Sequence, residues 1–393
     1  MFKRIINKIK PNEKEEQEVK SKVNSFLKIL NNKLLHAEAI VGGSFAKGTW
    51  LKNQHDIDIF VLFEKNQNMS TRLEVVLKSI FKNIEKLHGS RDYFIIEYEN
   101  LSFEIVPVLK IEKPEQAENI TDISHMHVAW VKNKTNENLA DEIRLTKYFM
   151  KINNCYGAET YIGGFSGYLA ELITIYYESF LNLVKNAENW KYGEVIDIEK
   201  NNKFSTDQKF PLIVIDPVQP NRNAAAALRK DKFELFIETC KKFSKKQNES
   251  FFNEKKIDQN KYNLIFKIEP LKGSKDVVGT KMLKVFEKIE RELKENGFVI
   301  KKSAWEWRDY GYFYFNIEKK TLDKNIKHFG PPTKFKEDAE KFKEKYKGFK
   351  VKEEKERLYV ILPRKFTKLN NLIINIMNDK EISEKIRSMV QLK

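Results

Sequence analysis

Residues 56–63 read Asp-Ile-Asp-Ile-Phe-Val-Leu-Phe, and few folds accept such a run. Its β-branched and aromatic residues call for a buried strand. Side chains alternate along a strand, so Asp56 and Asp58 share one face. Two carboxylates side by side repel each other unless a cation sits between them. Hard oxygen ligands at that spacing suit Mg²⁺. A later strand-like segment, SFEIVPVLKI, carries Glu104. If that strand lies beside the first, Asp56, Asp58 and Glu104 meet on one face and can hold two metal ions.

Asp56 lies twelve positions after Ser44, and the segment GGSFAKGTW precedes the acidic strand. Gly42 and Gly43 let backbone N–H groups approach an anion closely. Ser44 adds a hydroxyl donor, Lys47 an ammonium, and a helix opening after Gly43 its positive end. An ordinary glycine turn and two surface aspartates are the plainer reading. A lone GGS or a lone DxD is weak; the pair, in strand context, favours a phosphate- and metal-binding site.

Composition sets outer limits. The 393 residues allow two to four domains, and a net charge of +16 fits a polyanionic partner. A coding bias toward Lys, Asn and Ile would give the same excess. Cys155 and Cys240 form no CxxC pair, which argues against a cysteine zinc site or a disulfide framework and fits the cytoplasm. No apolar run approaches transmembrane length. The basic start, MFKRIINKIK, reads as a helix rather than a membrane-surface segment.

Residues 13–35 have helical spacing, and Ala37–Val41 reads as a short strand. Residues 71–87 read as a helix, and Tyr93–Tyr98 and Leu101–Ile111 as strands joined at Glu99-Asn100. This gives an α/β head over residues 1–136, followed by a mostly helical part over 137–246. Within that part, FPLIVIDPVQPNRNAAAAL predicts a strand, a proline turn and a helix from about Asn223; Lys241–Lys261 reads as linker or exposed surface. The order strand, helix 273–296, strand, strand, helix 334–347, then the strand LYVILP predicts a ferredoxin-like α+β part over 247–393. Alternation puts Tyr312 and Tyr314 opposite Phe313 and Phe315; one pair should be core, leaving the other open to stacking on RNA.

GGSFAKGTWLKNQHDIDIFVLF resembles the signature of polymerase-β-type nucleotidyltransferases. Within them the chain is similar to class I, archaeal-type CCA-adding tRNA nucleotidyltransferases. FEIVPVLKI, NENLADEIRLTKYFMK, YGAETYIGGFSGYLAELI, PLIVIDPVQPNRNAAAAL and HFGPPT follow in the same order, over roughly residues 40–332. The resemblance implies a nucleotidyltransferase head, a helical neck and an RNA-binding body and tail. It implies template-independent transfer of CMP, CMP and AMP from CTP and ATP to the 3′ end of tRNA, with two Mg²⁺ ions. One ion would activate the RNA 3′-hydroxyl and the other would bind the triphosphate.

The same resemblance makes Asp56, Asp58 and Glu104 the catalytic carboxylates. It places His127, Lys147 and Tyr156 at the triphosphate and Arg222 at the incoming base. Two positions depart from the family: Glu104 stands where Asp is usual, and Gly163 where a basic residue is common. The chain also looks short, which points to a trimmed C-terminal part. Another RNA-tailing nucleotidyltransferase, of poly(A), oligoadenylate or partial CC- or A-adding type, is the alternative enzyme; a catalytically weak RNA-binding relative is the alternative of another class. The sequence leaves the oligomeric state open, with a homodimer one option, and gives no reason to expect a membrane partner.

Overall fold

In the computed structural model every residue is described except His55, Asn66, Ser90, Asn202 and Lys203. The chain divides into two units, Met1–Lys255 and Lys256–Lys393.

The first unit opens with two helices, α1 (Phe2–Ile9) and α2 (Glu13–Asn31). Asn12 and Glu15 form a capping box that fixes where α2 starts. The apolar side of α1 is spent inside the protein, because Ile5 and Ile9 are buried in a helical core. Next come β1 (Ala37–Val41), α3 (Gly43–Lys47), β2 (Asp56–Phe63), α4 (Met69–Ile80), β3 (Glu85–Leu87), β4 (Tyr93–Tyr98) and β5 (Leu101–Leu109). The helix expected over 71–87 thus ends at Ile80, and residues 85–87 pair with β4 instead. The five strands form one sheet in the order β1-β2-β5-β4-β3. β4 and β5 are antiparallel, and Glu99 and Asn100 between them both have positive φ, as a tight two-residue hairpin requires.

The strand pattern decides what covers each face. Ile57, Ile59, Val61, Phe103 and Ile105 pack with Val23, Phe26 and Leu30 of α2 and with Leu73 and Leu77 of α4. Phe26 stacks on Phe103 with ring centroids 3.9 Å apart. On the opposite face, Phe60, Leu62 and Val108 pack with Val128 of the next helix, α5 (Ser124–Lys134), and against Ala46 of α3. The acidic positions of β2 belong to this second face, at the end of the strand where the apolar cover stops.

Helices α6 (Glu137–Ile152), α7 (Gly167–Tyr177) and α8 (Phe180–Ala187), a parallel pair β6 (Glu194–Asp197) and β7 (Leu212–Ile215), and α9 (Lys230–Lys245) complete the unit. Their core holds Phe149, Phe165, Phe180, Phe233, Phe236 and Phe243. Two expectations fail here. No helix starts near Asn223, because its side chain accepts from Val214 and Ala225 and donates to Leu212, pinning residues 220–228 as turns beside β7. The lysine-rich stretch after α9 is not all exposed linker, since Phe252 is buried in the same core.

The second unit contains β8 (Leu264–Glu269), α10 (Lys275–Glu295), β9 (Ile300–Trp307), β10 (Gly311–Ile317), β11 (Asn325–Pro332), α11 (Lys336–Lys345), β12 (Lys352–Glu354), β13 (Arg357–Pro363), α12 (Leu369–Met377), α13 (Lys380–Ser383) and β14 (Ser388–Gln391). Its larger sheet runs β14-β8-β10-β9, and a second sheet runs β11-β13-β12. The expected β-α-β-β-α-β order is supplied by β8, α10, β9, β10, α12 and β14, with α12 and β14 in the places expected of α11 and β13. α11 offers only Ala339 and Phe342 as buried residues and covers the small sheet. α12 buries Leu369, Leu372, Ile373 and Ile376, enough to join α10 over the larger sheet, which β14 then closes. Phe313 and Phe315 face that core. Tyr314 is buried on the other side beneath Tyr262 and donates to Glu306 at 2.6 Å, so it is closed to stacking; Tyr312, beside it, is half-buried.

Candidate active site

β2 and β5 are parallel neighbours, with Asp56 opposite Ser102 and Asp58 opposite Glu104. That register, with strand alternation, puts Asp56, Asp58 and Glu104 on one face. Burial pushes the Asp58 carboxyl up from its ordinary value; Lys47 opposes the rise, and Asp56 and Glu171 add to it. Among the described residues no three His, Cys, Asp or Glu side chains are gathered into a ready ligand set. The donor chemistry nevertheless fits a hard divalent cation, since three carboxylates share the face and one is held at a cost that positive charge would relieve.

The glycine loop lies flat against this face. Gly42 N–H donates to the Asp58 carbonyl at 2.7 Å. A Cβ on Gly43 would fall 1.5 Å from Asp58 Oδ2, and the residue's φ is +56°. The two motifs are thus one object: only a glycine lets the loop pass over the Asp58 carboxylate. Gly48 is an internal control, with φ +69° and nothing within 4 Å of its Cβ position. Gly43→Ala and Gly48→Ala should each lose about 1–2 kcal/mol to left-handed strain. Only Gly43→Ala should also lose catalytic incorporation, measured beside thermal melting of both variants.

A buried ion cluster fastens the loop to the helices. Glu171 of α7 accepts from Lys147 Nζ at 2.7 Å, Lys47 Nζ at 2.8 Å and Thr49 Oγ1 at 2.6 Å. Thr49 Oγ1 in turn accepts from Lys147 at 3.0 Å. Burial alone would raise the Glu171 carboxyl, but Lys147 and Lys47 hold it down at about 2. Burial lowers Lys147 from its ordinary value; Glu171 opposes the fall, and the like charges of Lys47 and Arg144 add to it. Arg144 of α6 donates to the carbonyls of Gly48 and Trp50, holding the end of the loop.

A second buried carboxylate, Asp216, follows β7. Its Oδ2 accepts from Arg222 at 2.6 Å and lies 3.1 Å from His127 Nε2, which is not aligned for a hydrogen bond. Its Oδ1 accepts from the Tyr168 hydroxyl at 3.2 Å. Arg222, with Asn221, Ser166 and Gly164, lines a cavity of about 540 Å³. Tyr156 lies half-buried near the start of α7, its hydroxyl 2.9 Å from the Cβ position of Gly167. Burial, with the charges of Glu171, Glu159 and Asp58, pushes its phenol up.

This geometry can be set beside known proteins. A CCA-adding enzyme of Nanoarchaeum equitans is 37% identical over 93% of this chain and 94% of its own length. The chain belongs to the CCA-adding enzyme family. A CCA-adding enzyme of Methanocaldococcus jannaschii is 33% identical over 96% of this chain and 90% of its own length. Three family descriptions match in succession: nucleotidyltransferase domain over residues 23–124, tRNA nucleotidyltransferase, second domain, over 141–253, and CCA-adding enzyme, C-terminal domain, over 260–392. Among solved structures, the RNA terminal uridylyl transferase Cid1 has a TM-score of 0.54 at 14% identity over 65% of this chain and 98% of its own, a likeness of fold alone.

In this CCA-adding enzyme relative, four of the residues expected at the nucleotide divide into two sets. Lys47 and Lys147 meet at Glu171, whereas His127 and Arg222 meet at Asp216. Lys147 is 2% exposed and already engaged, so any direct contact with a nucleotide requires its ammonium to leave Glu171. Sequence reasoning missed both carboxylates. Glu171 had a signal: it is the one charge in the apolar helix GYLAELITIYY, and a buried charge needs a partner. Asp216 had little, since Asp before Pro reads as an ordinary turn.

Proposed function

We propose that this chain builds the 3′-terminal CCA of tRNA, transferring CMP twice and AMP once from CTP and ATP without a nucleic-acid template. The parallel register that brings Asp56, Asp58 and Glu104 to one face, beneath the Gly42–Lys47 loop, carries this reading together with membership of the family. Enzymes of this type generally use divalent metal ions, and the three carboxylates would hold two Mg²⁺. When bound, the ions activate the RNA 3′-hydroxyl and stabilise the leaving pyrophosphate. Gly43, Ser44 and Lys47 face the phosphates. Tyr156 and His127 flank the triphosphate, and Lys147 sets the local potential through Glu171 and Lys47. Arg222 reads the base: its N–H groups suit the ring acceptors shared by cytosine and adenine. The β2–β5 register puts Glu104 on the face of the two aspartates, which supports an active centre over an inert relative.

In this reading residues 1–136 form the catalytic head, 137–246 the nucleotide-binding neck and 247–393 the body and tail that grip the acceptor arm. The second unit carries 34 Lys and Arg against 21 Asp and Glu, so +13 of the total +16 resides there. Affinity for tRNA is therefore expected to fall with salt, with a log–log slope steeper than about −3. A flat profile in a filter-binding titration would remove the charged grip. Cys155 and Cys240 are buried free thiols, in keeping with a cytoplasmic place of work. No described helix is long and apolar enough to cross a membrane.

The function is tested by supplying nucleotides singly. CTP alone should extend a tRNA lacking CCA by two residues, and ATP alone should add one to a tRNA ending in CC. Long tails from ATP alone would point to the poly(A)-type alternative.

A further inference from the structure

Asp216 serves three elements at once. It is fully buried, and its Oδ1 accepts the N–H groups of Val218 at 3.0 Å and Gln219 at 3.3 Å, shaping the turn that leads to Arg222. That oxygen also accepts from Tyr168 of α7, while Oδ2 takes Arg222 and faces His127 of α5. The turn is closed a second time by its main chain, with Asp216 N–H on the Arg222 carbonyl at 3.0 Å and Arg222 N–H on the Gln219 carbonyl at 2.9 Å. The His127 ring lies 4.4 Å from that of Tyr168. Burial would raise the Asp216 carboxyl, but His127 and Arg222 hold it at about 2, so it stays charged throughout the working range.

We propose that Asp216 is the positioning residue for nucleotide selection, fixing the Arg222 guanidinium and the His127 imidazole relative to one another. The inference rests on the reading above, in which Arg222 meets the base and His127 the triphosphate. A free arginine side chain samples many rotamers and can turn to suit any base. Held at one end by a buried carboxylate, its remaining N–H groups keep one direction at the wall of the cavity. Cytosine N3 and adenine N1 accept hydrogen bonds, whereas uracil N3–H and guanine N1–H donate. A fixed donor meets an acceptor in the first pair and another donor in the second, and that clash is the selective element. Because His127 shares the carboxylate, a base that displaces Arg222 also disturbs the group at the triphosphate.

The test compares Asp216→Asn, Arg222→Ala and the double variant, reading kcat/KM for CTP, ATP, UTP and GTP on tRNA ends of defined sequence. Asp216→Asn keeps the shape and the Oδ1 turn bonds but removes the charge. Preference for CTP and ATP over UTP and GTP should fall by about 10- to 100-fold, mostly through KM, and the double variant should be no less selective than Arg222→Ala. Tyr168→Phe, which leaves the Oδ2 partners in place, should keep selectivity within about twofold. If Asp216→Asn does not fold, Asp216→Glu retains the charge but displaces it by about one methylene, and should still lose selectivity. Unchanged selectivity in the Asp216 variant that folds, beside lost selectivity in Arg222→Ala, would overturn the role of Asp216 alone. Unchanged selectivity in Arg222→Ala would overturn the underlying reading of the base contact.

Discussion

Asp58→Asn is expected to lower nucleotide incorporation by on the order of a thousandfold, because a carboxylate that would hold a divalent ion is worth several kcal/mol of charge stabilisation in the transition state. The same change should leave the fold as stable as before, or more stable, when melting is followed in a chelator. Asp58 is a carboxylate partly withdrawn from water beside Asp56, and burial disfavours its charged form. Asparagine keeps the shape and discards that cost. Activity and stability should therefore move in different directions, as happens where a charge is kept for chemistry. A variant that loses both together would mean that Asp58 is a structural residue; one that keeps full activity would remove it from the catalytic set.

Glu171→Gln should do the reverse and strike stability first. The carboxylate is 1% exposed and accepts from Lys147, Lys47 and Thr49. Removing its charge strands two ammonium groups in a desolvated site, a loss of about 3–5 kcal/mol that would lower the melting temperature by roughly 10 °C. Adding Lys147→Met should recover much of that stability, since one stranded charge is then replaced by a flexible apolar chain. Full recovery of activity in the double variant would contradict the proposed electrostatic role of Lys147. The pH dependence follows from the same residue. Glu171 is held at about 2 against an ordinary 4.5, so its contribution is present above pH 4.5 and is lost as the pH falls toward 2. The shift corresponds to on the order of 3 kcal/mol. Asp216, lowered in the same direction, adds to the acid sensitivity. In Glu171→Gln the acid-side slope should be visibly shallower than in the parent protein.

What could be read from the sequence follows how local the determining physics is. β2 was legible because two alternating aspartates leading into six β-branched, leucine and aromatic residues allow little else. The Glu99-Asn100 hairpin was legible because two adjacent residues accept positive φ. The segment after β7 was misread because four alanines favour a helix in isolation, whereas Asn223 ties them to β7 through long-range hydrogen bonds. In the second unit the last helix and strand of the expected order were misassigned for a related reason. α11 and β13 have the clearer local patterns, but α12 has the larger apolar face, and only the folded sheet shows which helix it needs. For the site itself, residue pattern brought out the three carboxylates and the glycine loop. Roles for His127, Lys147, Tyr156 and Arg222 came only from resemblance. Glu171 and Asp216, the two carboxylates that gather Lys147, His127 and Arg222, became visible when distant segments met in space.

The most direct single measurement is the sequence of the tRNA 3′ end after incubation with all four nucleoside triphosphates and Mg²⁺, with Asp56→Ala plus Asp58→Ala as the paired control. Addition of C, C and A in that order by the parent protein, and none by the control at equal tRNA binding, is the expected result. An unextended tRNA with the parent protein, or CCA addition that survives loss of both aspartates, would contradict the assignment of this face as the centre of CCA synthesis.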